Sequence, residues 1–210
     1  MRALLALNGK IDDLKVLNEI LETVNIDFVI GVDGGLKHLE SLGIKPDIMI
    51  GDFDSATLEY YQSLWNDVEV MRFNAEKDMT DAELAFSYIQ GRDFSDVIAI
   101  GAFGGRIDHL LGNVFLLEHY PNIMLLDAYN RVKLLEGPIE RKLIKRNGFL
   151  SLIPITETVE GVTLKGFKYP LEEVDLRRGS TWGISNEFLE DDGVVRFYKG
   201  KLLVIVSEDY

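Results

Sequence analysis

The chain reads as α/β: an N-terminal, mostly parallel sheet with helices on both faces, followed by a C-terminal antiparallel β-sandwich or barrel. Two observations predict this. Up to about residue 130, short runs rich in β-branched residues alternate with segments of helical period, the rhythm of a parallel sheet. Beyond it, helical patterning stops, and short β-rich runs are separated by Gly, Pro, Asn and Asp, which suits a small antiparallel domain.

In the first half, strands are expected at Ala3–Leu7, Phe28–Val32, Ile48–Ile50, Val68–Arg72, Val97–Ile100 and Ile123–Leu126. Helices are expected near Asp12–Val24, Gly35–Leu42, Ala56–Trp65, Asp81–Gln90 and Ile107–Glu118. Thr80 followed by Glu83 is a capping box and sets a helix start at Thr80. In the second half, strands are expected at Val132–Leu135, Phe149–Pro154, Val159–Leu164, Ser180–Ile184, Val194–Tyr198 and Leu202–Val206. The domains are taken as residues 1–130 and 131–210.

Composition narrows the function. Of 210 residues, 47% are hydrophobic, enough for a buried core. With no Cys, disulfides, thiolate nucleophiles and thiolate-bound zinc are excluded, which is ordinary for a cytoplasmic protein. The net charge of −13 argues against a nucleic-acid partner. No run approaches the length of apolar chain needed to span a bilayer, so no membrane partner is expected. The apolar start Ala3–Leu7 is broken by Asn8-Gly9-Lys10 and reads as a buried strand rather than a leader.

The chemistry concentrates in two clusters, Gly51-Asp52-Phe53-Asp54-Ser55 and Lys77-Asp78-Met79-Thr80-Asp81. Carboxylates so close repel one another unless a cation lies among them. Oxygen donors without Cys or His suit a hard ion, Mg²⁺ before Zn²⁺, and Mg²⁺ usually keeps positions open for phosphate oxygens. Ligand sites of open α/β sheets lie beyond the carboxyl ends of the strands. There this chain places Asn8-Gly9, Asp33-Gly34-Gly35, Gly51-Asp52, Gly101-Ala102 and Asp127.

Each residue has a plainer reading beside the functional one. Asp54-Ser55 is a metal donor with its neighbour, or a turn with a helix cap. Lys77 is a phosphate contact or a solvated lysine. Gly104-Gly105-Arg106 opens a helix, where glycines admit close backbone approach and a guanidinium suits phosphate; alternatively Arg106 pairs with Asp108. His109 stacks on a base or caps a packed helix. Asp127 has no supporting motif and reads as structural. Trp182 has the plain reading of a buried core residue in a β domain.

In order and spacing, Asp33-Gly34-Gly35, Gly51-Asp52-Phe53-Asp54-Ser55, Lys77-Asp78-x-Thr80-Asp81 and Gly104-Gly105-Arg106-Ile107-Asp108-His109 resemble the thiamin pyrophosphokinase family. Gly161–Leu171 and Gly183-Ile184-Ser185-Asn186-Glu187 resemble that family's second domain. Lys77 and His109, where eukaryotic members often carry Gln, look like the bacterial form. The resemblance implies a cytoplasmic homodimer that moves the terminal two phosphates of ATP, as one unit, to the hydroxyl of thiamin, leaving AMP. It implies an ATP- and Mg²⁺-binding domain over 1–130 and a thiamin-binding domain over 131–210. By motif match it implies Asp52, Asp54 and Asp81 as metal ligands, with Asp78 close by. Arg106 and Asp108 belong to the nucleotide and substrate pocket, with Lys77, Thr80, Gly104, Gly105 and His109 beside the nucleotide. Ser185 and Asn186, with Trp182 near them, meet thiamin. Asp78 and Asp33 stand as alternative acceptors of the hydroxyl proton. The rival classes are a Mg²⁺-dependent phosphohydrolase using water, and a nucleotide sensor without turnover.

Overall fold

The computed structural model describes residues 1–73 and 78–208 and divides into two compact units, Met1–Ala128 and Tyr129–Tyr210. The first unit runs β1 (Arg2–Ala6), α1 (Leu14–Glu22), β2 (Phe28–Val32), a 3₁₀ turn (Asp33–Gly35) into α2 (Leu36–Leu42), β3 (Ile48–Gly51), α3 (Ser55–Leu64), β4 (Glu69–Arg72), α4 (Asp81–Ile89), β5 (Asp96–Ile100), α5 (Ile107–Leu116) and β6 (Ile123–Leu126). Its strands lie in the order β6-β5-β1-β2-β3-β4 and every pair is parallel.

The central strands are apolar throughout because helices cover both faces. Leu4, Ala6, Val29, Met49, Ile98 and Ile100 pack with Leu17, Leu21, Leu36, Leu39 and Tyr61 from α1, α2 and α3. Side chains one position along each strand turn to the opposite face, where Ile30, Val32, Ile48 and Ile50 are buried and α4 meets β2 and β3.

The strand order positions the site. The chain leaves β1 toward β2 on one side and leaves β5 toward β6 on the other. β1 and β5 are neighbours, so a crevice opens between their carboxyl ends, at the point where the winding reverses. The two loops there run against each other. Leu7 N–H donates to the Ile100 carbonyl and Gly9 N–H to the Gly101 carbonyl, both at 2.9 Å. Gly101 has φ +67°, and a Cβ on it would stand 2.2 Å from the Leu7 carbonyl oxygen, so a side chain is excluded by conformation and by space.

The second unit is antiparallel. It comprises β7 (Asn130–Glu136), β8 (Ile139–Ile144), β9 (Phe149–Pro154), β10 (Thr158–Lys165), β11 (Leu171–Arg177), β12 (Asn186–Glu187), β13 (Asp192–Phe197) and β14 (Lys201–Ser207). Strands β12-β9-β14-β7 form one layer and β11-β10-β13-β8 the other. Leu135, Leu150, Leu152, Val162, Leu164, Val195, Phe197 and Val204 fill the core between them, the sandwich solution to two half-apolar sheets.

The expectations for this unit need correction. Ser180–Ile184 is no strand: Ile184 N–H donates to the Thr181 carbonyl at 3.1 Å, closing a turn, and Ser180 Oγ accepts from Trp182 N–H at 3.2 Å. Conversely, β8 and β11 exist where no strand was expected. Both are edge strands of their layer, and their sequences, IERKLI and LEEVDLR, are heavily charged. Charge on an edge prevents pairing with other chains, and it also erases the apolar signal by which a strand is recognised.

The switch-point contact predicts a clear outcome. Gly101→Ala should lower the urea midpoint, by about 2 kcal/mol or more of stability, since strain at one such φ alone costs about 1–3 kcal/mol. A midpoint equal to the parent protein's would show that the two loops have room to separate.

Candidate active site

The site is built from the residues that follow β1, β2, β3 and β5 and from the N-terminus of α4. Asp33 follows β2, Asp52 follows β3, and Asp81 opens α4. One carboxylate oxygen from each lies within 4.8 Å of the others, and all three residues are partly buried. Three negative charges held that closely in a half-dry position repel strongly. A divalent cation removes that repulsion, and an oxygen-only donor set fits Mg²⁺ or a similar hard ion.

The backbone holds this cluster in place against its own preferences. Asp33 sits at φ +44° and Phe53 at φ +26°, a region that non-glycine residues occupy at a cost. Asp is among the side chains that tolerate it best. A Cβ on Gly51 would lie 3.2 Å from both Cα and Cβ of Asp33, so the missing side chain lets these two strand ends converge. Beyond Asp52, Phe53 is buried, and the Arg72 guanidinium donates to its carbonyl at 2.8 Å. The loop bearing Asp52 is thus anchored from within and from β4.

Asp54 stands outside this group. It is the N-cap of α3: Oδ1 accepts from Thr57 N–H at 2.8 Å and Oδ2 from the Thr57 hydroxyl at 2.9 Å. The cap reading weighed from the sequence is therefore present, with Asp54 as the cap and Ser55 as the first residue of the helix. Asp33, expected as a possible base, takes the third position in the cluster instead.

A cleft of about 680 Å³ opens beside the carboxylates at the β1/β5 crevice. Asp33, Thr80, Asp81, Gly104, Gly105, Arg106 and His109 line it, and Asp52 does not. Thr80 caps α4 through its hydroxyl, which accepts from Glu83 N–H at 3.2 Å. Gly104 lies against Lys10, where a Cβ would come within 2.1 Å of the carbonyl oxygen. Asp78 is exposed in the bend ahead of Thr80 and is not part of the lining among the described residues. Lys77 lies outside the described residues.

Arg106 faces the cleft and grips Asp108 with two hydrogen bonds, Nε to Oδ1 at 3.0 Å and Nη2 to Oδ2. The pairing weighed from the sequence is therefore present. The guanidinium hydrogen bonds hold the Asp108 carboxyl well below its usual range, at about 2. His109 N–H adds a further bond to Oδ1. A guanidinium has five N–H donors, so Arg106 keeps others to offer a ligand. Asp108 and His109 also border a second, smaller hollow of about 260 Å³ against α4.

Four residues of this region escaped the sequence reading. Lys37 and His38, in the first turns of α2, both line the cleft. The buried His38 ring places Nε2 2.7 Å from the Gly9 carbonyl oxygen. A carbonyl only accepts, so Nε2 carries the proton, and burial pushes the ring pKa down toward the neutral form. Asn113, buried in α5, donates to the Ala102 carbonyl at 2.9 Å and ties the β5 loop to its helix. Arg72 anchors the Asp52 loop. The only sequence signal for any of these was proximity to a glycine-rich strand end.

The second unit holds the remaining expected residues. Trp182 is 60% exposed, which removes the core reading. Ser185 has φ +59°, and its N–H donates to the Ser151 hydroxyl at 3.1 Å. Asn186 is buried and committed: Oδ1 accepts from Tyr169 N–H at 2.9 Å and Nδ2 donates to the Tyr169 carbonyl at 2.7 Å. It clasps the Tyr169 loop, with Lys168 and Glu187 paired alongside at 2.7 Å.

Known proteins resemble this chain in sequence and in fold. A family model described as "Thiamin pyrophosphokinase, catalytic domain" matches residues 21–126, and one described as "Thiamin pyrophosphokinase, vitamin B1 binding domain" matches residues 139–202. The chain is 37% identical to a thiamine pyrophosphokinase of Bacillus subtilis over 188 residues, covering 86% of this chain and 87% of that one. Its fold superposes on the crystal structure of the Bacillus subtilis thiamine pyrophosphokinase with a TM-score of 0.89 at 31% identity, covering all of both chains. The Geobacillus thermodenitrificans thiamin pyrophosphokinase gives 0.87 at 32% identity, covering all of this chain and 98% of that one. The two family models together match both halves of the chain, and this chain belongs to the thiamin pyrophosphokinase family.

Proposed function

We propose that this protein transfers the terminal diphosphate of ATP to the hydroxyl of thiamin, giving thiamin diphosphate and AMP. One observation carries the reading: three carboxylate oxygens, from Asp33, Asp52 and Asp81, converge within 4.8 Å, and Asp33 and Asp81 line the cleft. Membership of the family supplies the substrates.

In this reading the first unit binds ATP with Mg²⁺ and the second helps bind thiamin. Asp33, Asp52 and Asp81 hold the metal, which when bound neutralises charge on the phosphate oxygens. Transfer of this kind asks the protein chiefly for positioning and charge stabilisation. The N-termini of α4 and α5 border the cleft, and the positive end of a helix dipole favours anions. The Gly104-Gly105 loop admits the phosphates close to the backbone. Arg106, steadied by Asp108, presents its remaining donors to charge that develops as AMP departs. Trp182 offers an exposed aromatic face to the thiamin cation, while Asn186 shapes that region through Tyr169. We further infer a homodimer in the cytoplasm; no helix among the described residues is long and apolar enough to cross a membrane.

The first test is product analysis. AMP should form from ATP and Mg²⁺ only when thiamin is present; AMP or phosphate released without thiamin would make the protein a hydrolase. Asp52→Asn should fold with an unchanged melting profile and lose turnover by about a hundredfold or more, the scale of several kcal/mol of charge stabilisation. Turnover within a few fold of the parent at saturating Mg²⁺ would remove Asp52 from the metal site.

Asp108 offers a check by pH. Its folded pKa is depressed to about 2. The pairing therefore contributes stability above the unfolded value near 3.9 and loses it as pH falls toward 2. A carboxyl titration by NMR should find Asp108 near 2 in the parent and close to the ordinary Asp range in Arg106→Ala. An unchanged value in the variant would mean that another group holds the carboxylate ionised.

A further inference from the structure

Among the described residues, three flexible cations line the cleft, and they are not equivalent. Lys10 Nζ rests on the Asp12 carboxylate at 2.6 Å. Arg106 is engaged by Asp108. Lys37 Nζ instead contacts two neutral oxygens of one residue, Asn8 Oδ1 at 2.7 Å and the Asn8 carbonyl at 3.3 Å. A cation that leaves a carboxylate for a phosphate exchanges one ion pair for another. A cation that leaves an amide oxygen for a phosphate gains an ion pair it did not have. Lys37 therefore has the most to gain from a polyanion in this cleft.

Its placement agrees. Lys37 follows Asp33 by a single helical turn of chain, and both line the same cleft. The next residue, His38, is buried and bonded to the Gly9 carbonyl, so the helix that carries Lys37 is fixed against the β1 loop while its own side chain stays exposed. A rigid base with a mobile ammonium on a flexible stem is the arrangement a phosphate-binding lysine uses.

We propose that Lys37 is a nucleotide-binding residue of this enzyme: its ammonium leaves Asn8 and engages the β- and γ-phosphates, the group to be transferred. This rests on the reading of the cleft as the ATP site. Asn8 then acts as a resting place that keeps the side chain at the rim.

The test is isothermal titration in excess Mg²⁺ with α,β-methylene-ATP, which resists cleavage at the bond to be broken, and with AMP, which lacks the two outer phosphates. Lys37→Met should weaken the ATP analogue by about tenfold or more and AMP by less than about twofold, the range for loss of one charge-assisted hydrogen bond. Lys37→Arg should recover most of the analogue's affinity. Asn8→Ala removes the resting contact but keeps the ammonium, so it should not reproduce the selective loss. The proposal is overturned if Lys37→Met binds the analogue as the parent does, if it weakens analogue and AMP equally, or if Asn8→Ala matches it. Lys37→Gln serves as the second neutral variant should Lys37→Met melt early. The readout needs no turnover, so it stands apart from the thiamin-dependent release of AMP that tests the reaction itself.

Discussion

The hydrogen bond from Gly9 N–H to the Gly101 carbonyl links the loops at the two strand ends from which the chain winds in opposite directions. Without close contact there, the crevice would not have a defined floor. The constraint is steric before it is chemical: Gly101 can touch the Leu7 carbonyl only because it has no side chain and because it can adopt a positive φ. From that floor the rest follows. α2 is pinned to the β1 loop by His38, the β5 loop is pinned to α5 by Asn113, and the cleft takes its walls from both.

The acidic cluster adds a second constraint of the opposite sign. Burying three carboxylates together is unfavourable, and Asp33 holds an uncommon backbone conformation as well. Both costs are borne by the fold around them: the Leu36 and Leu39 packing beneath α2, the buried Phe53, and the Arg72 clamp on the Phe53 carbonyl. Strain and like-charge repulsion held in place by a well-packed scaffold are what a site prepared for a cation requires.

Most of the first unit could be read from sequence because its strands are buried on both faces and its helices start at recognisable caps. The capping role of Thr80 and the acids at the strand ends came from local grammar alone. Asp54 shows where that grammar stops. An Asp-x-Asp spacing does not say which carboxylate turns to the rim and which to the helix, since the choice depends on the backbone turn at Phe53. Lys37 and His38 were missed because a Lys-His pair on a surface helix has no pattern of its own; only the strand order brings them against Asn8 and Gly9. In the second unit the missed strands, β8 and β11, were hidden by the same charge that protects their edges, and the turn at Thr181–Ile184 was mistaken for a strand because Trp and Ile carry β propensity in any setting.

The approach of Gly51 to Asp33 also bears on how such a site could be transplanted. The 3.2 Å gap that a Cβ would leave makes the carboxylate geometry a property of two neighbouring strand ends, at one of which the residue before Asp52 contributes no side chain at all. An engineer who grafted only the three acids onto another parallel sheet would copy the ligands and leave behind the vacancy that lets them meet. The smallest portable unit of this centre therefore includes a residue whose contribution is the atom it lacks.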